Sequence, residues 1–372
     1  MKIRLTAALG LSAALLLTAC AANEVPAGTP SADSTGSAGT TSAPGTPAVE
    51  LSGTLSAKGA SSAKVAQETW TALFQTANPA VTVNYSPDGS GAGREAFMAG
   101  GADFAGSDRA LKIEENVAGA FAGCTPTSTA IDVPVYVSPI AVIFSVEGVT
   151  DLKLTPEVLA KLFRGEITNW NDPAIAALNP GVNFPDLAVT PVHRSDESGT
   201  TENFTDYLAV AAEGVWTDKP SQEWPVQGGE AAKGTSGVVQ AVTSGKGTIG
   251  YADASQAGAA SVAMIGPDGA FELPTEGAAA AAVENSPLEE GRAAGDIAIK
   301  LDRRAAGYPI VLVSYVIACS EYQDAEKAAL VKGYLSLIVS EEGQSAAAET
   351  AGSAPLSDTL REKVIAAVDS IK

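Results

Sequence analysis

The sequence predicts an α/β protein built as two domains, and three observations predict it. Short β-like apolar stretches alternate with amphipathic helical ones from about residue 50 to residue 372, the pattern of sheets covered by helices. That stretch is long enough to form two domains. Two apolar runs, Val133–Phe144 and Pro309–Ala318, exceed the length of an average strand. Each reads either as a long core strand or as a crossover strand that leaves one domain and enters the other, and the Ser138-Pro139 break favours the crossover for the first. Domain I then takes residues 51–137 plus 307–372, and domain II residues 138–306.

Taken in order, the chain opens with Lys2 and Arg4, an apolar run from Leu5 to Leu17, and Leu17-Thr18-Ala19-Cys20. A charged start, an apolar run too short to span a bilayer and a small-residue cleavage site describe a secretory signal over residues 1–19. Residues 20–49 are almost entirely Ala, Gly, Ser, Thr and Pro, with too little apolar surface to offset the entropy of folding. They read as a tether that lets the folded body range about 30 Å from its attachment point.

In the body, strands are expected at Val81–Tyr85, Val133–Val146, Leu187–His193, Thr248–Ala252 and Pro309–Ala318. Helices are expected at Ser62–Ala77, Pro156–Phe163, Asp172–Leu178, Thr200–Ala212, Gly237–Thr243, Ala325–Val339 and Thr359–Ile371. The Pro156 helix carries both end signals, Thr155-Pro156 at its start and Gly165 after Lys161 and Arg164 at its end. No internal repeat is visible.

Cys124 and Cys319 are an even pair in a chain with an export signal, which predicts a disulfide. Two free buried thiols are the alternative. The formal charge is −20, and without Lys2 and Arg4 the balance is 21 basic against 43 acidic residues. Nucleic acid needs a basic face, so it is not an expected partner. An anionic solute would also be repelled at long range, so any anion site must rest on short-range donors.

Four segments place small hydroxyl or Gly residues at the start of a predicted helix: Gly59-Ala60-Ser61-Ser62, Asp88-Gly89-Ser90-Gly91-Ala92-Gly93, Ser198-Gly199-Thr200-Thr201 and Gly234-Thr235-Ser236-Gly237. A helix N-terminus has unpaired N–H groups and positive potential, which suits an anion. The same residues are also ordinary N-caps. The third segment has company: Arg194 ends a predicted strand four residues earlier, where its guanidinium and the helix start can converge on one anion, with Asp196 placed to orient it. A surface Arg–Asp pair beside a capped helix is the plainer reading. Asp108 follows a short strand-like segment. If it faces a bound oxyanion, that anion must carry a proton, because an ionised carboxylate only accepts hydrogen bonds; otherwise Asp108 is a turn residue.

These pieces resemble a known family, the periplasmic or lipoprotein phosphate-binding subunit of the bacterial high-affinity phosphate ABC importer, in its actinobacterial form. The resemblance rests on Gly59–Ser62, Val83-Asn84-Tyr85 with Gly89-Ser90, Asp103–Asp108, Leu154-Thr155-Pro156 through Gly165–Pro173, Arg194–Thr200 and Gly247–Tyr251, in family order. It implies the type II periplasmic-binding-protein-like fold, with the ligand held in a hinged inter-domain cleft. Donors at Ser61, Ser62, Ser90, Arg194, Ser198, Gly199 and Thr200 would hold phosphate, and Asp108 would take its proton. Leu17–Cys20 resembles a lipobox, so Cys20 would be the diacylglyceryl-modified anchor on the outer face of the cell membrane. A monomer that docks on the membrane permease, with no metal and no cofactor, is the rest of the expectation.

An enzyme is the competing class. With one histidine, His193, a Ser-His-Asp triad has a single possible base, and no Gly-x-Ser-x-Gly elbow is present. Neither a Cys/His metal cluster nor P-loop spacing appears, since Gly245-Lys246-Gly247-Thr248 is too short. A different oxyanion, sulfate or molybdate, is the remaining alternative, and Asp108 discriminates against it.

Overall fold

The computed structural model describes residues 50–267, 269–304 and 308–372. The leader, Cys20 and the tether lie outside the described residues, as do positions 306 and 307, where the expected second domain boundary falls.

The first part of the chain forms β1 (Gly53–Gly59), α1 (Lys64–Ala77), β2 (Val81–Ser86), α2 (Ser90–Met98) and β3 (Phe104–Ser107). The long β4 (Ala130–Ser145) follows, then β5 (Lys153–Leu154), α3 (Pro156–Phe163), α4 (Pro173–Leu178), β6 (Thr190–Arg194) and α5 (Gly199–Ala211). Next come β7 (Glu230–Ala232), α6 (Gly234–Ser244), β8 (Thr248–Asp253), β9 (Ser261–Val262), β10 (Met264–Ile265) and α7 (Glu276–Glu284). The chain closes with β11 (Val311–Cys319), α8 (Ala325–Val339), α9 (Glu341–Ala351) and α10 (Asp358–Asp369).

One curled sheet runs in the order β2-β1-β3-β11-β4-β8-β6-β7, with β9 also on β4. The strand β4 joins its halves. Its residues from Ala130 to Pro139 pair antiparallel with β11, and those from Ile140 to Ser145 pair antiparallel with β8. The partner changes at Pro139, which has no N–H to give a ladder. Every residue from Ala130 to Phe144 is buried, which is why the run reads as continuously apolar and does not alternate. The first apolar run is therefore both a single long strand and a crossing between two halves of the sheet.

Around the β2-β1-β3-β11 half the core is built on Trp70, Phe74, Phe104 and Tyr334. On the other side Phe163, Phe204, Trp216, Trp224 and Tyr251 form an aromatic cluster. The Cys124–Cys319 disulfide is present, with S–S 2.02 Å, tying the approach to β4 to the end of β11. No helix among the described residues is long and apolar enough to cross a membrane.

Some elements depart from the sequence reading. The strand expected from Leu187 starts at Thr190, and the helix expected from Gly237 starts at Gly234. Two of the unexpected helices, α7 and α9, are rich in alanine and small residues and lack a strong apolar period. In α2 the glycines hid the helix, and packing explains them. A Cβ on Gly93 would lie 2.6 Å from the Gly59 Cα and 2.7 Å from the Lys58 carbonyl oxygen, because α2 rests directly on the backbone of β1.

Candidate functional site

The strands β1, β2 and β3 run parallel, as do β6, β7 and β8. The carboxyl ends of β1, β2, β3, β6 and β7 lead into the loops that start α1, α2, the Asp108 turn, α5 and α6. A crevice outside the carboxyl ends of parallel strands is where open α/β sheets bind ligands. Here those loops touch one another across the two halves of the sheet.

Asp108 is at the centre, 3% exposed. Its Oδ1 accepts from the Ser62 hydroxyl at 2.6 Å and its Oδ2 from the Thr200 hydroxyl at 3.0 Å. The Asp108 N–H donates to Ser90 Oγ at 3.1 Å, and its carbonyl accepts from Asn203 Nδ2 at 2.8 Å. Ser61 Oγ accepts from the Thr235 N–H at 3.1 Å and shares a 3.0 Å bond with the Thr235 hydroxyl. Gly199 starts α5 hard against this group: a Cβ there would lie 2.6 Å from the Asp108 Cβ and 2.7 Å from Ser90 Oγ. Ser61, Ser62, Ser90, Asp108, Arg194, Ser198 and Thr200 are all buried, and Gly199 with them.

Capping, the plain account of the four Ser/Gly segments, holds for one of them. Ser198 Oγ accepts from the Thr201 N–H and caps α5. The helices α1, α2 and α6 have no side-chain cap, so the hydroxyls of Ser61, Ser62 and Ser90 are committed across the loops and not to their own helices. Four helix starts thus bring positive potential to one small region.

Arg194 is held by both carboxylate oxygens of Asp196, Nε to Oδ1 at 2.8 Å and Nη2 to Oδ2 at 2.5 Å. Its Nη1 has no partner among the described residues. Asp196 also accepts from the Gly234 N–H at 3.0 Å, fixing it to the start of α6. Burial works to raise the Asp196 carboxyl, but the hydrogen bonds and charge of Arg194 outweigh it and hold the group below the usual range. For Asp108 burial dominates and pushes the carboxyl up, against the hydroxyls of Ser62, Ser314 and Thr200 and the charge of Arg194.

His193 lies outside this cluster, stacked on Trp224 with ring centroids 5.2 Å apart and its Nδ1 at 3.0 Å from the Arg194 carbonyl. Asn203 and Gln256 belong to the site's surroundings and were not read from the sequence, whereas Thr235, which meets Ser61, lies in the Gly234–Gly237 segment that was. Asn203 sits one turn after Gly199 on α5, and no local motif marks it or Gln256.

A larger cleft of about 900 Å³ lies alongside, lined in part by Asp108, Arg109, Glu202, Asp206, Arg292 and Arg303. Its guanidinium groups are already matched: Arg109 to Glu115 and Glu202, Arg292 to Asp132 and Asp296, and Arg303 to Asp206. Among the described residues no cluster of His, Cys, Asp and Glu could hold a metal ion.

Comparison with known proteins gives a consistent result. The model of the PBP superfamily domain matches residues 32–342. "Phosphate-binding protein PstS 3" of Mycobacterium tuberculosis is 34% identical over 313 residues, 82% of this chain and 83% of that protein. Among solved structures, a high-affinity periplasmic phosphate-binding protein bound with phosphate superposes with a TM-score of 0.69 at 22% identity, covering 84% of this chain and 93% of the other. A putative phosphate ABC transporter substrate-binding protein with bound phosphate from Clostridium perfringens gives 0.57 at 21% identity, covering 82% and 100%. At such identities the structural likeness speaks for the fold alone.

Proposed function

The chain belongs to the phosphate-binding proteins of the PBP superfamily, and from that premise we propose that it captures inorganic phosphate outside the cytoplasmic membrane and delivers it to an ABC-type importer. Ser61, Ser62, Ser90, Arg194, Ser198, Gly199 and Thr200 supply the donors, through hydroxyls, backbone N–H groups and the free edge of the guanidinium. Asp108 receives the proton that phosphate carries at neutral pH.

The observation that carries this reading is a buried carboxylate in the midst of oxyanion donors. A carboxylate facing a fully deprotonated anion leaves two acceptors in contact with no hydrogen between them, at a cost on the order of several kcal/mol. A protonated anion turns the same contact into a charge-assisted hydrogen bond. The site therefore admits phosphate and rejects sulfate. With the chain at a formal −20, affinity comes from the donors and helix starts at contact range and not from the overall field.

In this reading residues 51–137 and 307–372 form domain I and residues 138–306 form domain II. The ligand bridges the two and favours the closed state by its differential affinity. The switch of β4 from β11 to β8 at Pro139 supports that division. Cys20 is the lipid anchor, the 20–49 segment the tether, and the monomeric body serves capture and not catalysis.

Calorimetric titration of the tether-free body with phosphate and with sulfate, on wild type and Asp108→Asn, tests the proposal. Tight phosphate binding without sulfate heat is expected, with that discrimination lost in the variant. A wild type that gives no phosphate heat sinks the reading.

A further inference from the structure

We propose that Gln256 is a positioning residue of the anion site, one that aims backbone donors at the ligand without touching it. The inference rests on the phosphate reading above.

Gln256 ends a short 3₁₀ turn, Ala254–Gln256, that follows β8. Its side-chain Nε2 donates to two consecutive carbonyls, that of Ser61 at 2.7 Å and that of Ser62 at 2.9 Å. Both partners are acceptors only, so the amide nitrogen must face them. In a trans peptide the carbonyl and the following N–H point in opposite directions within one plane. Holding the Ser61 and Ser62 carbonyls therefore sets the direction of the Ser62 and Ala63 N–H groups. Those are the donors at the opening of α1, which has no side-chain cap and no acidic residue in its first turn. Neither N–H has an acceptor among the described residues. On the same loop, the Ser62 hydroxyl reaches Asp108, so the loop lies against the site while Gln256 grips it from the carbonyl side.

The turn that carries Gln256 is itself anchored. Asp253 caps it, its Oδ1 accepting from the Ser255 N–H at 3.0 Å, the Ser255 hydroxyl at 2.5 Å and the Tyr136 hydroxyl at 3.0 Å. Asp253 is paired with Ile140 of β4, next to the point where β4 changes partners. Gln256 thus reaches across from the β8 half of the sheet to a loop 194 residues away in sequence, in the β1 half. The donors of α1 are aimed when the halves meet, which ties their orientation to closure.

The test is phosphate titration of wild type, Gln256→Ala and Gln256→Glu at about pH 8 and about pH 5.5, with melting curves recorded in the absence of phosphate. Gln256→Ala is expected to bind phosphate about tenfold more weakly at both pH values, chiefly through faster release, with its melting temperature little changed. Gln256→Glu presents an ionised carboxylate to two carbonyls at the higher pH and should bind at least as weakly as the alanine variant. At the lower pH a protonated carboxyl can donate to one carbonyl, so its affinity relative to wild type should recover several-fold, while the alanine ratio stays flat. Wild-type affinity in Gln256→Ala overturns the inference and leaves the phosphate reading standing. So does a Glu-to-wild-type ratio that ignores pH. No phosphate binding by wild type overturns both.

Discussion

At the residue scale, chemistry is set by which partner each side chain takes. Arg194 spends one edge of its guanidinium on Asp196 and leaves Nη1 without a partner among the described residues, an arrangement that an ammonium group cannot copy. Arg194→Lys is expected to lose at least tenfold in phosphate affinity in calorimetry while the melting temperature without ligand moves little. Asp253 makes a second prediction. It is fully buried, its Oδ2 has no partner among the described residues, and burial raises its carboxyl from 3.8 to about 7, against hydrogen bonds from Ser255, Ser138 and Tyr136. A raised carboxyl holds its proton in the folded state where the unfolded chain has released it. This group therefore lowers stability as pH rises from about 4 to about 7, by at most on the order of 4 kcal/mol. Denaturant melts of Asp253→Asn should show a shallower loss of stability across that window than wild type. An equal slope in both would refute the assignment.

At the element scale, four helix starts converge near Asp108, and Gly199 shows what such a close approach must satisfy. It opens α5 where a Cβ would press on Asp108 and Ser90, residues of the other half of the sheet. Alanine is the better helix former by about 1 kcal/mol, so Gly199→Ala should not destabilise a body whose halves are apart. It should instead cost affinity, because the closed arrangement needs the contact the methyl blocks. Unchanged or raised melting temperature without phosphate, with phosphate affinity down at least tenfold, is the expected pair of results. Of the elements themselves, those with strong local signals were legible in the sequence. The helix α3 matches its Thr155-Pro156 cap and Gly165 stop, and α8 matches its expected bounds, Ala325–Val339. The strand β1 and the helices α7 and α9 were not foreseen, and of α2 only the Asp88–Gly93 start was. Small residues and glycines give them little periodicity of their own, and they exist because neighbours pack on them.

At the scale of the whole molecule, the disulfide and the β4 crossing organise the chain. Cys124 and Cys319 are 195 residues apart, and on the chain-entropy account closing a loop of that size stabilises the folded state by about 5 kcal/mol. Reduction, or the Cys124→Ala/Cys319→Ala variant, should lower the melting temperature by several degrees. Phosphate affinity should fall little, because the bridge joins segments away from the donor loops. A melting temperature indifferent to reduction would show that the constraint is supplied elsewhere.

The sequence by itself determined the α/β class, the two long apolar strands, the disulfide partners and the short segments whose residues gather around Asp108. These follow from local composition, periodicity and the end signals of helices, all contained in windows of a few residues. Only the tertiary structure decided how those residues are used: that Ser198 caps its helix while Ser62 serves Asp108, that the Arg–carboxylate pairs of the large cleft match one another, and that Gln256 holds the Ser61–Ser62 loop. Each of these turns on a hydrogen-bond partner brought close by the packing of the sheet's two halves, and a direction in space leaves no trace in local spacing.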